Sequence, residues 1–198
     1  APYMQDLEHC FAQTAYISSP ETQDIIHCAA LSEDTILVYG HSQFYFNRYE
    51  DLRLHFKGAI FPIEGGKISQ VTVNGQPMDL ILVKIDKLPI TFKNYTKYYT
   101  TEVGKETLLI WNSEKGRLAM PVQCVAPAGP VETMEGTITH KTYSYKVASK
   151  KGMCGGLLVT RVHGTFKVLG MHIAGNGQVA RAAAVHFISN GAAGFMDQ

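Results

Sequence analysis

Lys151-Gly152-Met153-Cys154-Gly155-Gly156-Leu157-Leu158-Val159 sets one cysteine among three glycines, immediately ahead of an apolar run with strand character. Packing gives little reason for such a turn. Glycine lets the chain reverse sharply and brings backbone N–H groups close to a bound carbonyl. The N–H groups of Cys154 and of the turn before it, Gly152 and Met153, are therefore candidates for holding a developing oxyanion. Alone, the stretch also suits a buried cysteine in a glycine-rich turn, so its reading depends on its surroundings.

Those surroundings read as β-structure. Short strand-like runs occur at residues 35–39, 44–47, 52–56, 67–73 and 80–85, then at 107–111, 119–125, 137–147, 157–161, 166–172 and 182–188. Asn74-Gly75 is a two-residue hairpin signal, because both positions tolerate positive φ. Gly65-Gly66, Gly129-Pro130 and Gly175-Asn176-Gly177 mark further turns. Helical periodicity is confined to residues 3–14, where Met4, Leu7, Cys10 and Phe11 recur at steps of three and four. Many short strands with almost no helix predict an all-β protein, a sandwich or barrels. The polar, tyrosine-rich stretch 93–104 near the midpoint reads as a connection. The preferred division is an N-terminal helix and first β-barrel over 1–98 and a second barrel over 99–198, with one large sandwich as the alternative.

A nucleophilic cysteine needs a base. The upstream candidate is His41, in Leu37-Val38-Tyr39-Gly40-His41-Ser42, and an acid to orient it follows as Asp79 at the start of Leu80-Ile81-Leu82-Val83. The rivals are His55 and Asp86, which read more simply as strand-surface residues. Downstream of the cysteine, Gly170-Met171-His172-Ile173-Ala174-Gly175 puts a histidine at a strand end, where it serves either the core or a pocket beside the nucleophile.

Bulk properties agree with this picture. A chain with 45% hydrophobic and 18% charged residues is an ordinary folded protein, and a net charge of +1 supplies no global field for nucleic acid or membrane. Four cysteines without a CxxC pair suggest free thiols in a reducing compartment. His9-Cys10 and His27-Cys28 could be taken as metal half-sites, but adjacent residues rarely ligate one ion together, so neither a metal nor another cofactor is expected. No apolar run reaches the length of a membrane span. The chain starts at Ala1 and stops at Gln198, which fits ends made by proteolysis but equally an arbitrary boundary.

The order histidine, aspartate, nucleophile is that of chymotrypsin-like proteases, and Asp79-Leu80-Ile81-Leu82-Val83-Lys84 resembles their acid-bearing strand. With sulfur in the serine position and the Gly-x-His-x-Ala-Gly motif around His172, the chain resembles the picornavirus 3C cysteine proteases, nearest to their parechovirus and hepatitis A virus side. The resemblance implies two six-stranded antiparallel β-barrels and a Cys-His-Asp triad of Cys154, His41 and Asp79. It implies a picornain 3C-like endopeptidase that processes a viral polyprotein in the host cell cytoplasm. Cleavage would follow a P1 glutamine, before a small residue, through a thioester acyl-enzyme. His172 falls on the histidine that reads this glutamine, with Ser149 where the family usually has threonine. Tyr145 falls on the tyrosine that holds that histidine, and Gly175 leaves room for the amide. Residues 131–140, with Met134-Glu135-Gly136 at the centre, match the β-ribbon that folds over substrate.

Implied partners are the polyprotein, host proteins and viral RNA. The family's Lys-Phe-Arg-Asp-Ile RNA segment is matched here by Thr91-Phe92-Lys93-Asn94-Tyr95, which keeps the aromatic and one cation, with Lys97 nearby. Asp6 and Glu8 on the N-terminal helix weaken a basic RNA face. The second function class is a nucleic-acid-binding barrel without essential peptidase activity, carried by these lysines and the neighbouring tyrosines.

Overall fold

The computed structural model describes residues 2–188, so Gln198 lies outside the described residues. In the first half of the chain, six strands run β1 (Thr14–Ser18), β2 (Ile26–Ser32), β3 (Thr35–Tyr39), β4 (Leu52–Phe56), β5 (Ala59–Val73) and β6 (Gln76–Asp86). They close into an antiparallel barrel in the order β1-β2-β3-β6-β5-β4. The β5–β6 hairpin turns at Asn74-Gly75, both in the left-handed region with φ of 53° and 78°. β3 is buried at all five positions, and β6 is buried from Met78 to Val83, which places this neighbouring pair in the barrel core.

The second half contains β7 (Thr107–Ser113), β8 (Gly116–Pro121), β9 (Gln123–Ala128), β10 (Val131–Glu132), β11 (Ile138–Thr139), β12 (Thr142–Lys146), β13 (Leu157–Val162), β14 (Thr165–Gly175) and β15 (Val179–Ala184). Seven of these form one sheet in the order β8-β7-β13-β14-β15-β12-β9, and β10 and β11 stand apart as a ribbon. The two ends of that sheet, β8 and β9, are consecutive in the chain and separated only by Val122. A bend there, with Cys124 at φ 57°, lets one long strand edge both sides of the sheet, so it curls on itself as a second barrel.

Continuous apolar runs in β7 and β13 follow from burial on both faces. Leu108, Ile110, Leu157 and Val159 join the core shared with the first barrel, whereas Leu109, Trp111 and Leu158 fill the second. The barrels therefore share an apolar seam.

Several local expectations are corrected. Residues 44–47 do not form a strand; they lie in helix α3 (Gln43–Arg48), because a helix puts Tyr45 and Tyr49 on one face with ring centroids 4.9 Å apart and buries Tyr45 completely. The N-terminal helix is two short pieces, α1 (Pro2–Asp6) and α2 (Glu8–Phe11), and β1 begins at Thr14. Strands β1 and β2 were not anticipated at all: Cys28-Ala29-Ala30 has weak intrinsic β preference, and burial between β1 and β3 decides its state. The run 137–147 is also interrupted at His140-Lys141, separating the ribbon from β12.

Candidate active site

After β3 the chain turns through a 3₁₀ segment, Gly40–Ser42, fixed by the Ser42 hydroxyl donating to the Tyr39 carbonyl at 2.6 Å. This presents His41 to the Asp79 carboxylate on β6. His41 Nδ1 donates to Asp79 Oδ2 at 2.6 Å, which leaves Nε2 to face the cleft. The approach is so close that a Cβ on residue 40 would lie 2.6 Å from Asp79 Oδ1, so the glycine before the histidine is a steric requirement. Neither rival takes this place. His55 contacts the Ser18 hydroxyl at 2.8 Å and stacks on Tyr16, and Asp86 lies at the far end of β6.

Cys154 comes from the second barrel. Its thiol donates to the Ile173 carbonyl at 3.3 Å, and its sulfur acts on the His41 imidazole. Burial opposes a charge on His41, but the hydrogen bonds and charges of Asp79 and Cys154 outweigh it and push the imidazole up to about 10. A proton placed on this ring is held firmly. The glycines of the loop serve contact as well as turning. Gly155 has φ +95°, and a Cβ there would sit 2.0 Å from the His27 carbonyl of β2, so the loop lies directly against the first barrel.

Among the described residues, the N–H groups of Gly152 and Cys154 have no acceptor, and Gly152 is in the left-handed region at φ +94°. Met153 departs from expectation. Its N–H turns back to the Lys150 carbonyl at 3.3 Å, and its carbonyl accepts from Trp111 Nε1 at 2.9 Å and Gly156 N at 3.2 Å. Met153 therefore braces the loop and does not offer a free donor. Trp111, the chain's one tryptophan, was not singled out from sequence; a lone indole beside a glycine turn is the signal that could have found it.

His172 on β14 is buried, and its Nδ1 meets the Tyr145 hydroxyl of β12 at 2.5 Å. Burial, with the nearby His41 charge, pushes His172 down to about 4. The Ser149 hydroxyl accepts from Gly177 N at 3.2 Å and keeps its own proton for another partner. Gly175 has a different role from the expected one: a Cβ there would meet Ser149 Oγ at 2.2 Å, so it makes room for the serine. Over the cleft, the ribbon turns between Thr133 and Thr137, with Gly136 at φ +84°. Met134 is fully exposed at its tip, and Glu135 Oε1 stands 3.5 Å from His41 Nε2.

The expected RNA residues are not brought together as a binding face. Phe92 is corrected: it is buried edge-on against Phe56 at 5.0 Å, with its backbone paired to Glu33, so it offers no ring for a base to stack on. Lys93 and Lys97 are exposed, and Lys97 Nζ lies over the Tyr98 ring at 5.2 Å. Asp6 and Glu8 pair with Arg161 and Arg117 of the second barrel, which fastens the N-terminal helices and neutralises two of its cations.

Residues 1–177 match the 3C cysteine protease (picornain 3C) family. The chain is 49% identical over 190 residues to the genome polyprotein of Human parechovirus 5 and 50% identical to that of Human parechovirus 2, covering 96% of the chain in both cases. It spans only 9% of the length of each of those polyproteins. The polyprotein of Poliovirus type 1 (strain Mahoney) is 26% identical over 152 residues, covering 68% of the chain and 7% of the polyprotein. In fold, the chain is similar to the HRV-C 3C protein solved with rupintrivir, at TM-score 0.66 and 20% identity over 88% of this chain and 92% of that one. Tobacco etch virus protease is similar at TM-score 0.61 and 16% identity, covering 90% of this chain and 74% of that one. With a cysteine, a histidine and an acid assembled between two β-barrels and these relatives beside it, the chain belongs to the 3C cysteine protease (picornain 3C) family.

Proposed function

We propose that this chain cleaves a viral polyprotein after glutamine, with Cys154 as nucleophile, His41 as general base and acid, and Asp79 as the group that orients His41. The observation that carries the reading is the distinct partnering of the two histidines beside Cys154. Each has its Nδ1 engaged, His41 by a carboxylate and His172 by a phenol, and the first is pushed up to about 10 while the second is pushed down to about 4. Two like groups driven apart by their surroundings indicate two roles.

In the proposed sequence, His41 Nε2 holds the proton taken from the Cys154 thiol, and the sulfur attacks the carbonyl carbon. The N–H groups of Cys154 and Gly152 receive the oxyanion. His41 then returns the proton to the leaving amine as the C–N bond breaks, leaving a thioester on Cys154. Water adds to that thioester with His41 taking its proton, and the acid product departs with the thiol restored. At the P1 pocket, the Tyr145 hydroxyl donates to His172 Nδ1, so the ring proton lies on Nε2 and can be given to a glutamine carbonyl. Ser149 supplies a second donor. A neutral ring offers no charge to a glutamate.

All four cysteines are unpaired, which supports action in a reducing compartment such as the host cytoplasm. Viral RNA as a further partner draws support only from the exposed Lys93 and Lys97, with Phe92 turned inward. The reading is tested with a peptide set varied at P1. Cleavage after glutamine is expected, at least about 10-fold better than after glutamate in kcat/KM, since a mispaired buried hydrogen bond costs on the order of 1–3 kcal/mol. Better cleavage after glutamate or arginine would refute the pocket.

A further inference from the structure

We infer that Thr139, at the base of the ribbon, is a positioning residue for Asp79, so that the segment reaching over substrate also sets the acid of the site. The inference rests on the reading of Asp79 as the partner of His41.

It begins with a backbone group that the first barrel cannot satisfy. On one side of β6, β3 ends with Tyr39 opposite Leu80. On the other, the β5 register shifts between Gln70, opposite Ile81, and Thr72, opposite Pro77. Asp79 therefore falls in a gap between ladders, and it is buried to 2% exposure. A buried N–H without an acceptor is strongly disfavoured. The acceptor comes from the second barrel: Asp79 N donates to Thr139 Oγ1 at 2.7 Å, and Thr139 itself is fully buried.

Neighbouring contacts hold the hydroxyl in place. His140 N and Nδ1 both donate to the Pro77 carbonyl, at 3.3 and 3.0 Å, so the foot of the ribbon grips β6 on the stretch that carries the acid. Fixing the Asp79 backbone fixes the direction from which its carboxylate meets His41. Asp79 Oδ1 has no hydrogen-bond partner among the described residues, so beyond His41 the carboxylate has little else to hold its angle. Without Thr139, Asp79 would keep its carboxyl group and lose its alignment.

The test is a double-mutant cycle on cleavage of a P1-glutamine peptide, with Thr139→Val, Asp79→Asn, the double variant and Thr139→Ser. Thr139→Val should lower kcat about 10-fold with KM within about 3-fold, the scale expected for one buried hydrogen bond. Thr139→Ser, which restores the acceptor, should recover at least about half of the activity. Because Thr139 acts through Asp79, the double variant should be no more than about 2-fold slower than Asp79→Asn alone. Losses that multiply, a Thr139→Val enzyme at wild-type rate, or no rescue by serine would each overturn the inference. If Thr139→Val fails to fold, Thr139→Cys takes its place: its poorer acceptor should give a loss that disappears in the Asp79→Asn background, and a loss that persists there counts against the proposal. Failure of the underlying reading looks different, since Asp79→Asn would then itself retain full activity.

Discussion

Tyr145→Phe removes one oxygen and leaves the ring that fills the space around His172. In the structure that oxygen lies 2.5 Å from His172 Nδ1, both residues are buried, and the two rings are tilted at 58° with centroids 5.9 Å apart. Phenylalanine keeps the ring contact and orphans the imidazole nitrogen. An unsatisfied buried polar group costs about 1–3 kcal/mol. Without the phenol nothing fixes the tautomer, and a ring with its proton on Nδ1 leaves a lone pair at Nε2 where the glutamine carbonyl should be received. Discrimination between glutamine and glutamate at P1 should fall by roughly 5- to 150-fold, that energy range expressed as a ratio. The assay is kcat/KM on two peptides differing only at P1, with the rate of Cys154 alkylation by a small reagent as a control that should hold within about 2-fold. An unchanged glutamine-to-glutamate ratio would refute the argument, because the phenol would then have no part in setting the tautomer.

Asp79→Asn should slow turnover by about 10- to 1000-fold, less than His41→Ala, because a thiol needs less help from the third member than a hydroxyl does; steady-state kinetics on a P1-glutamine peptide measures both. The Glu135 carboxylate is half-exposed and stands beside His41 Nε2 where substrate must approach, so Glu135→Gln should leave kcat/KM within about 3-fold of wild type or raise it, and a loss above about 10-fold would make it part of the machinery. Burial and the His41 charge hold His172 neutral above about pH 4, so the glutamine preference should stay level between about pH 7.5 and 5.5. A ratio that collapses around the ordinary histidine value near 6.5 would contradict a buried neutral ring.

The residues of the candidate site were legible where the sequence carries a mark of its own. A cysteine needs glycines to expose it, and the glycine beside His41 is forced by a 2.6 Å approach to Asp79. Apolar runs in β3, β6, β7 and β13 were also clear, since strands buried on both faces are apolar along most of their length. What stayed hidden depends on partners distant in the chain. β2 takes its state from β1 and β3, and residues 43–48 become helical because Tyr45 reaches the Asp24 carbonyl at 2.9 Å. Thr139 looked like any strand threonine, because the register gap at Asp79 that gives it a role exists only once β3, β5 and β6 are paired. Gly175 was assigned to the substrate, when the atom it spares is Ser149 Oγ, a contact that appears only when β14 closes on the loop after β12.

The central claim is that Cys154 is the sulfur that attacks the carbonyl after glutamine. Cys10 and Cys28 are buried, and Cys124 is exposed on β9, so a directed reagent separates them from Cys154. A peptide ending in a P1 glutamine vinyl ester, incubated with the enzyme and mapped by tandem mass spectrometry, should leave one adduct, on Cys154. The His41→Ala enzyme should label far more slowly, and so should the glutamate analogue on wild type. An adduct on Cys124, or labelling that ignores both His41 and the P1 side chain, would contradict the account.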